Sequence, residues 1–157
     1  TDKIVIRTHP EWAPLGVEQF HKLVDAGFYQ DCRFFRVVPD FVAQFGINGD
    51  PAVQKQYKAP ILDDKVQTTN ARGTMTFATS GKNTRTTQLF INTKANAFLD
   101  KQGFSPFAEI TSGMDVVDRI YKGYGEKPAQ GMIQSKGNEY LTSQFPKLTY
   151  ISTVTST

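Results

Sequence analysis

Phe34-Phe35-Arg36-Val37-Val38-Pro39-Asp40-Phe41-Val42-Ala43-Gln44-Phe45-Gly46 reads as two apolar strands in succession, the first ended by Pro39-Asp40 and the second by Gly46. Each carries one polar residue among apolar neighbours, Arg36 in the first and Gln44 in the second. A guanidinium in such company is costly unless its donors are satisfied. Gln88 repeats the pattern by opening the strand-like run Gln88-Leu89-Phe90-Ile91. Taken singly, each has a bland reading, because arginine stems snorkel and strand glutamines face solvent. Buried charge is also rare. It is the three in order that carry information.

Outward from this stretch, Ile4, Ile6 and Thr8 alternate with Val5 and Arg7 as a short strand does. Val17, Phe20, Leu23 and Val24 fall at helical spacing across 17–26, with Gly27 placed as a C-cap. Residues 47–72 are mostly polar and read as a long loop holding one short strand at most. Thr74-Met75-Thr76-Phe77-Ala78 alternates as a half-buried strand, and Ser80–Thr87 reads as a polar loop. Phe107-Ala108-Glu109-Ile110 is extended, and Met114–Tyr121 is a second short helix. A Gly-rich loop over 123–145 leads to a last strand, Leu148–Val154. Many short strands with two isolated helices predict a mainly β barrel or sandwich capped by helices. No repeat or composition shift divides residues 1–157, so one domain is expected.

The 157 residues carry 18 basic and 15 acidic side chains, for a net charge of +3. The basic residues are scattered, whereas a nucleic-acid binder gathers them into a patch. Mean hydropathy is −0.39, and no apolar run approaches the roughly 18 residues that span a bilayer. Neither nucleic acid nor membrane is an expected partner. Thr1-Asp2-Lys3 leads straight into a strand, so no signal peptide is read there, though a cleaved one would leave no trace. Cys32 is the only cysteine, which excludes an internal disulfide and a cysteine-based zinc site. It fits a reducing, cytoplasmic setting slightly better than a secretory one.

Other motifs fall short. Gly81-Lys82-Asn83-Thr84 lacks the glycine that a phosphate loop needs at position 76, where Thr stands. Gly123-Tyr124-Gly125 begins a dinucleotide fingerprint, but position 128 is Pro and no strand precedes it. There is no G-x-S-x-G, and His9 and His21 lack obvious catalytic partners. Asp63-Asp64 reads as a solvated loop pair, since adjacent side chains on extended backbone point apart.

The ordered set 34–46, Phe77-Ala78-Thr79-Ser80-Gly81-Lys82-Asn83-Thr84 and Gln88-Leu89-Phe90-Ile91 resembles the cyclophilin family of peptidyl-prolyl isomerases. The likeness continues through Phe98-Leu99-Asp100, Phe107-Ala108-Glu109 and Gly113-Met114-Asp115-Val116-Val117, and so covers most of the chain. The resemblance implies a closed eight-stranded antiparallel β-barrel capped by two helices, with the substrate groove on its outer face. The first strand looks truncated here. It also implies Arg36 as the catalytic arginine, with Gln44 helping to hold it and the substrate. Phe41, Val42, Phe90 and Leu99 would line a proline pocket. Ala78 and Thr79 would present backbone to the peptide, and Gln88 and Phe98 would complete the rim. The expected partners are X-Pro peptides and unfolded proteins, handled by a monomer with no metal and no cofactor.

The chemistry explains the missing triad, metal cluster and nucleotide loop. Rotating an amide costs about 18–20 kcal/mol in lost resonance, and no bond breaks. Uncatalysed X-Pro exchange takes tens to hundreds of seconds. A protein that only binds proline peptides, with little turnover, is the alternative, but binding alone would not demand the arginine. Three positions depart from the family pattern. Phe98 stands where a drug-contacting tryptophan is frequent, which implies weakened cyclosporin binding. Lys101–Pro106 replaces a pocket histidine, with Phe104 expected to form part of that wall. Val42 replaces a common methionine.

Overall fold

The computed structural model describes residues 2–157. Six strands form one antiparallel sheet: β1 (Val5–Thr8), β2 (Arg36–Val38), β3 (Val42–Phe45), β4 (Thr74–Phe77), β5 (Leu89–Asn92) and β6 (Ala108–Ser112). Their spatial order is β1-β6-β4-β5-β3-β2. Period-two alternation sorts the side chains onto two faces. Val37, Ala43, Phe45, Met75, Phe77, Leu89 and Ile91 enter the main core. Arg36, Val42, Gln44, Thr76 and Phe90 occupy the alternate positions, and so lie on the other face. A slip of one residue would exchange the two sets, so the buried face pins the register.

The closed eight-stranded barrel of the sequence reading is corrected by this topology. Hydrogen-bonded pairing ends at β1 on one side and β2 on the other, leaving the sheet open. Leu148–Val154, expected as a strand, forms only a single bridge, Arg33 with Tyr150. Three backbone bonds tie 149–151 to 31–34: Phe34 N–H to Thr149 O at 2.9 Å, Asp31 N–H to Ile151 O at 2.7 Å and Ile151 N–H to Cys32 O at 3.0 Å. Alternation in sequence reports one-sided burial, whereas a ladder also requires a neighbouring strand in register.

Helix α1 (Pro14–Asp25) packs Val17, Phe20, Leu23 and Val24 into the main core, as its spacing predicts. Gly27 follows its end at φ +69°, a left-handed position that glycine enters freely. The start of α1 is unusual, for Ala13 supplies no capping side chain and its first turn holds no acid. Asp64 fills that role from afar. Its carboxylate accepts from Leu15 N–H at 3.1 Å and Gly16 N–H at 2.8 Å, and pairs with Arg85 Nη2 at 3.0 Å. The Asp64 and Arg85 side chains are 4% and 3% exposed. Asp64 is thus a buried, shared cap and not a solvated loop residue. Cys32 is buried in the core, where burial foremost pushes its thiol up to about 12.

The loops also hold more structure than two helices. A short helix, α2 (Pro51–Gln56), starts at Asp50, whose side chain accepts from Ala52 N–H at 2.9 Å. The Asp-Pro cap is a readable signal, but α2 buries no residue fully and so shows no apolar period. A 3-10 helix, η1, spans Ala97–Gln102, and α3 (Met114–Asp118) ends earlier than its apolar spacing suggests. The segment expected as a Gly-rich loop contains α4 (Gln130–Lys136) and α5 (Asn138–Gln144). Gly137 divides them at φ +62°, where a Cβ would overlap the Gly49 carbonyl. Ile133, Tyr140 and Leu141 join Phe35, Ile47 and Leu148 in a second core, with Tyr124 and Phe145 packed on it.

Candidate active site

β2 and β3 place Arg36 directly opposite Gln44, and β3 and β5 place Gln44 opposite Phe90. The polar residues of the opening stretch therefore meet on one face. Arg36 Nη1 donates to Gln44 Oε1 at 3.0 Å, and Gln44 Nε2 donates to Gln88 Oε1 at 2.9 Å. Arg36 Nε donates to Glu126 Oε2 at 2.8 Å. Gln44 is only 5% exposed, so its amide is committed to this relay. The Arg36 side chain is 28% exposed, and its guanidinium carbon lies 5.6 Å from the centre of the Phe41 ring.

Next to the guanidinium is an apolar pocket. Val42, Phe90 and Leu99 form its buried floor, with Phe41, Ala78 and Phe104 packed around them. Arg36, Gln44, Thr79 and Gln130 complete the lining of a cavity of about 220 Å³. A cavity of about 150 Å³ takes a benzene ring, so a five-membered ring with part of its chain fits here. Phe104 meets Phe90 edge-on with centroids 5.7 Å apart, forming the wall expected of it.

The remaining sequence-derived residues are placed less directly. Gln88 accepts from Gln44 and is not among the residues lining the cavity. Ala78 N–H is engaged by the Gln88 carbonyl at 2.9 Å, which leaves the Ala78 carbonyl as the group it can present. Phe98 is 55% exposed and stacks on Phe41 with centroids 6.0 Å apart, outside the pocket lining.

A buried amide network under the pocket was not singled out from the sequence. Asn70 Nδ2 donates to Asp100 Oδ1 at 2.7 Å and to the Phe104 carbonyl at 3.0 Å. Thr76 Oγ1 donates to Asn70 Oδ1 at 2.8 Å. Asn96 Nδ2 donates to the Phe41 carbonyl at 3.0 Å and to Asn92 Oδ1 at 2.8 Å. The network thus holds the backbone of two pocket walls, Phe41 and Phe104. Burial pushes the Asp100 carboxyl up, but hydrogen bonds from Thr69 and from the side chain and backbone of Asn70 outweigh it and hold it below its ordinary value. Asparagines scattered through loops and at the end of β5 carry no periodic signal, so only folding reveals them as a set. Glu126 and Gln130 were missed for a similar reason, lying in a segment expected to be loop.

A family model described as "Cyclophilin type peptidyl-prolyl cis-trans isomerase/CLD" matches residues 1–138. The chain is 38% identical over 114 residues to "Peptidyl-prolyl cis-trans isomerase A" of Dickeya dadantii, covering 69% of this chain and 60% of that one. It is 37% identical over 126 residues to "Peptidyl-prolyl cis-trans isomerase B" of Escherichia coli, covering 74% and 77% respectively. The chain therefore spans 60% of the length of the first relative and 77% of the second. A crystal structure of a cyclophilin from Hirschia baltica superposes with a TM-score of 0.63 at 18% identity, over 81% of this chain and 65% of the other, a likeness of fold. On the matched family model and these identities, the chain belongs to the cyclophilin-type peptidyl-prolyl cis-trans isomerase family.

Proposed function

We propose that this groove catalyses cis–trans rotation of X-Pro bonds in peptides and unfolded chains. The observation that carries the reading is a guanidinium held by two side chains beside an apolar pocket of proline size. Arg36 Nη2 donates to no acceptor among the described residues, and is the nitrogen left for a substrate.

The pocket formed by Val42, Phe90, Leu99 and Phe104 grips the proline ring, so that the preceding residue swings. As the amide twists, its nitrogen becomes pyramidal and gains a lone pair. Arg36, always protonated, donates to that lone pair or to the adjacent carbonyl. A planar amide offers no such acceptor at nitrogen, so the bond strengthens toward the twisted state. That difference is what lowers a barrier. Apolar walls also exclude the water that would otherwise compete for the donor. Gln44, fixed by Gln88, orients the guanidinium toward the substrate.

The test is exchange spectroscopy on a short Ala-Pro peptide with and without the protein. Acceleration far above the uncatalysed rate is the expected result. Shifted peptide signals without faster exchange would instead indicate a module that binds proline peptides, and would overturn the reading.

Cyclosporin is a weak ligand on this reading, because Phe98 offers apolar surface without an indole N–H. Phe98→Trp is expected to tighten cyclosporin binding about tenfold, the value of roughly one added hydrogen bond. Titration calorimetry on both proteins checks it, and equal affinities would remove Phe98 from the drug-contacting surface.

A further inference from the structure

We infer that Glu126 is a positioning residue for the proposed isomerase reaction, delivered to Arg36 by the turn between α3 and α4. Two of the three guanidinium nitrogens of Arg36 are held, and by different parts of the chain. Gln44, on the neighbouring strand, takes Nη1 at 3.0 Å, while Glu126, 90 residues away in sequence, takes Nε at 2.8 Å. A single partner would leave the long side chain free to rotate about its own bonds. Two partners leave one orientation, with Nη2 available for substrate.

The backbone around Glu126 is itself fixed. Gly125 O accepts from Val37 N–H at 3.3 Å, joining this turn to the residue after Arg36. Lys127 N–H donates to Tyr124 O at 3.0 Å, closing the turn around Glu126. The Tyr124 ring packs edge-on against Phe145 with centroids 5.1 Å apart, and its hydroxyl accepts from Lys147 N–H at 3.3 Å. Tyr124 and Phe145 rest on the second core, which includes Phe35, the residue before Arg36. Two neighbours of Arg36 thus tie to the two structures that hold Glu126. Gln130, at the start of α4, adds to the pocket lining from the same segment.

Stability does not account for this pair. The Glu126 side chain is 62% exposed, and exposed ion pairs contribute little to folding. Its consequence is orientation. A fixed donor has less freedom to lose when substrate arrives, and small displacements of a reacting group reduce rate steeply.

The inference rests on the isomerase reading, and two measurements separate their failures. Exchange kinetics on the Ala-Pro peptide are compared for the parent, Glu126→Ala and Glu126→Gln. Glu126→Ala is expected to lower kcat/KM about tenfold, with the loss in kcat and KM within twofold of the parent. Glu126→Gln is expected to recover much of it, because its amide oxygen still accepts from Nε. In parallel, the Arg36 Nε–Hε signal is followed by proton–nitrogen NMR. It is expected to be protected from solvent exchange in the parent and broadened or lost in Glu126→Ala. Unchanged or faster turnover in Glu126→Ala, a loss confined to KM, or an unprotected Nε–Hε in the parent overturns the inference. A parent that fails to accelerate exchange while keeping a protected Nε–Hε defeats the isomerase reading but leaves the guanidinium clamp established.

Discussion

Arg36→Ala is expected to lower the rate at which the protein accelerates Ala-Pro exchange by about 100-fold or more, with the fold intact. The size follows from the role. Removing one fixed donor aimed at developing charge elsewhere costs about 100- to 1,000-fold, or roughly 3–4 kcal/mol of barrier. The fold should survive because Arg36 is partly exposed on β2, an edge strand. Matching amide spectra for the two proteins are the control. Arg36→Lys sharpens the test, since it keeps the positive charge but loses the planar fork that meets Gln44 and Glu126 together. It is expected to recover only a small part of the rate. Exchange within a few-fold of the parent in Arg36→Ala would show that the pocket alone lowers the barrier.

Asp64→Ala is the variant expected to damage the protein most. Arg85 would remain 3% exposed with its carboxylate partner gone. Its Nε and Nη1 already lack partners, which leaves Nη2 with only the Leu62 carbonyl at 2.5 Å. Leu15 and Gly16 would lose the acceptor for the first N–H groups of α1. Breaking a buried ion pair from one side costs about 3–5 kcal/mol, a large part of the roughly 5–15 kcal/mol that holds a domain together. Urea unfolding should therefore shift to a midpoint lower by about 1–3 M. Asp64→Asn keeps an acceptor for the helix start and should lose less. Asp64→Ala combined with Arg85→Met removes both charges and should be more stable than Asp64→Ala alone. A loss under about 1 kcal/mol in Asp64→Ala, or a double variant no better than the single, would mean that the pair is hydrated and peripheral.

How much of this could be read beforehand differs from element to element. The apolar period of α1 and the alternation of 74–77 and 89–92 identify elements that pack one face on the core, because burial acts locally through side-chain spacing. Arg36 and Gln44 stood out because each violates its strand. The eight-strand barrel failed at Leu148–Val154, whose alternation is real but whose bonding to residues 31–34 amounts to three backbone hydrogen bonds and one bridge, not a ladder. The reading of 123–145 as loop failed because Gly123, Gly125, Gly131 and Gly137 break periodicity over a segment that nevertheless buries Ile133, Tyr140 and Leu141.

The sequence by itself determined the family, the main strands, and the pairing of an arginine and a glutamine with an apolar pocket. The strands follow from residue type and short-range spacing, which hydrophobic burial converts into faces and register. The family and the pocket are implied by the resemblance of the ordered motifs. Only the tertiary structure decided who partners whom across long separations: Asp64 with the start of α1, Asn70 with the walls of the pocket, and Glu126 with Arg36. Such contacts join residues 34 to 90 positions apart, and no periodicity encodes a distance of that kind. The first two exist because buried polar groups must find partners, and the third joins a partly exposed arginine to an exposed glutamate. In each case, which partner lies within reach is a property of the folded chain.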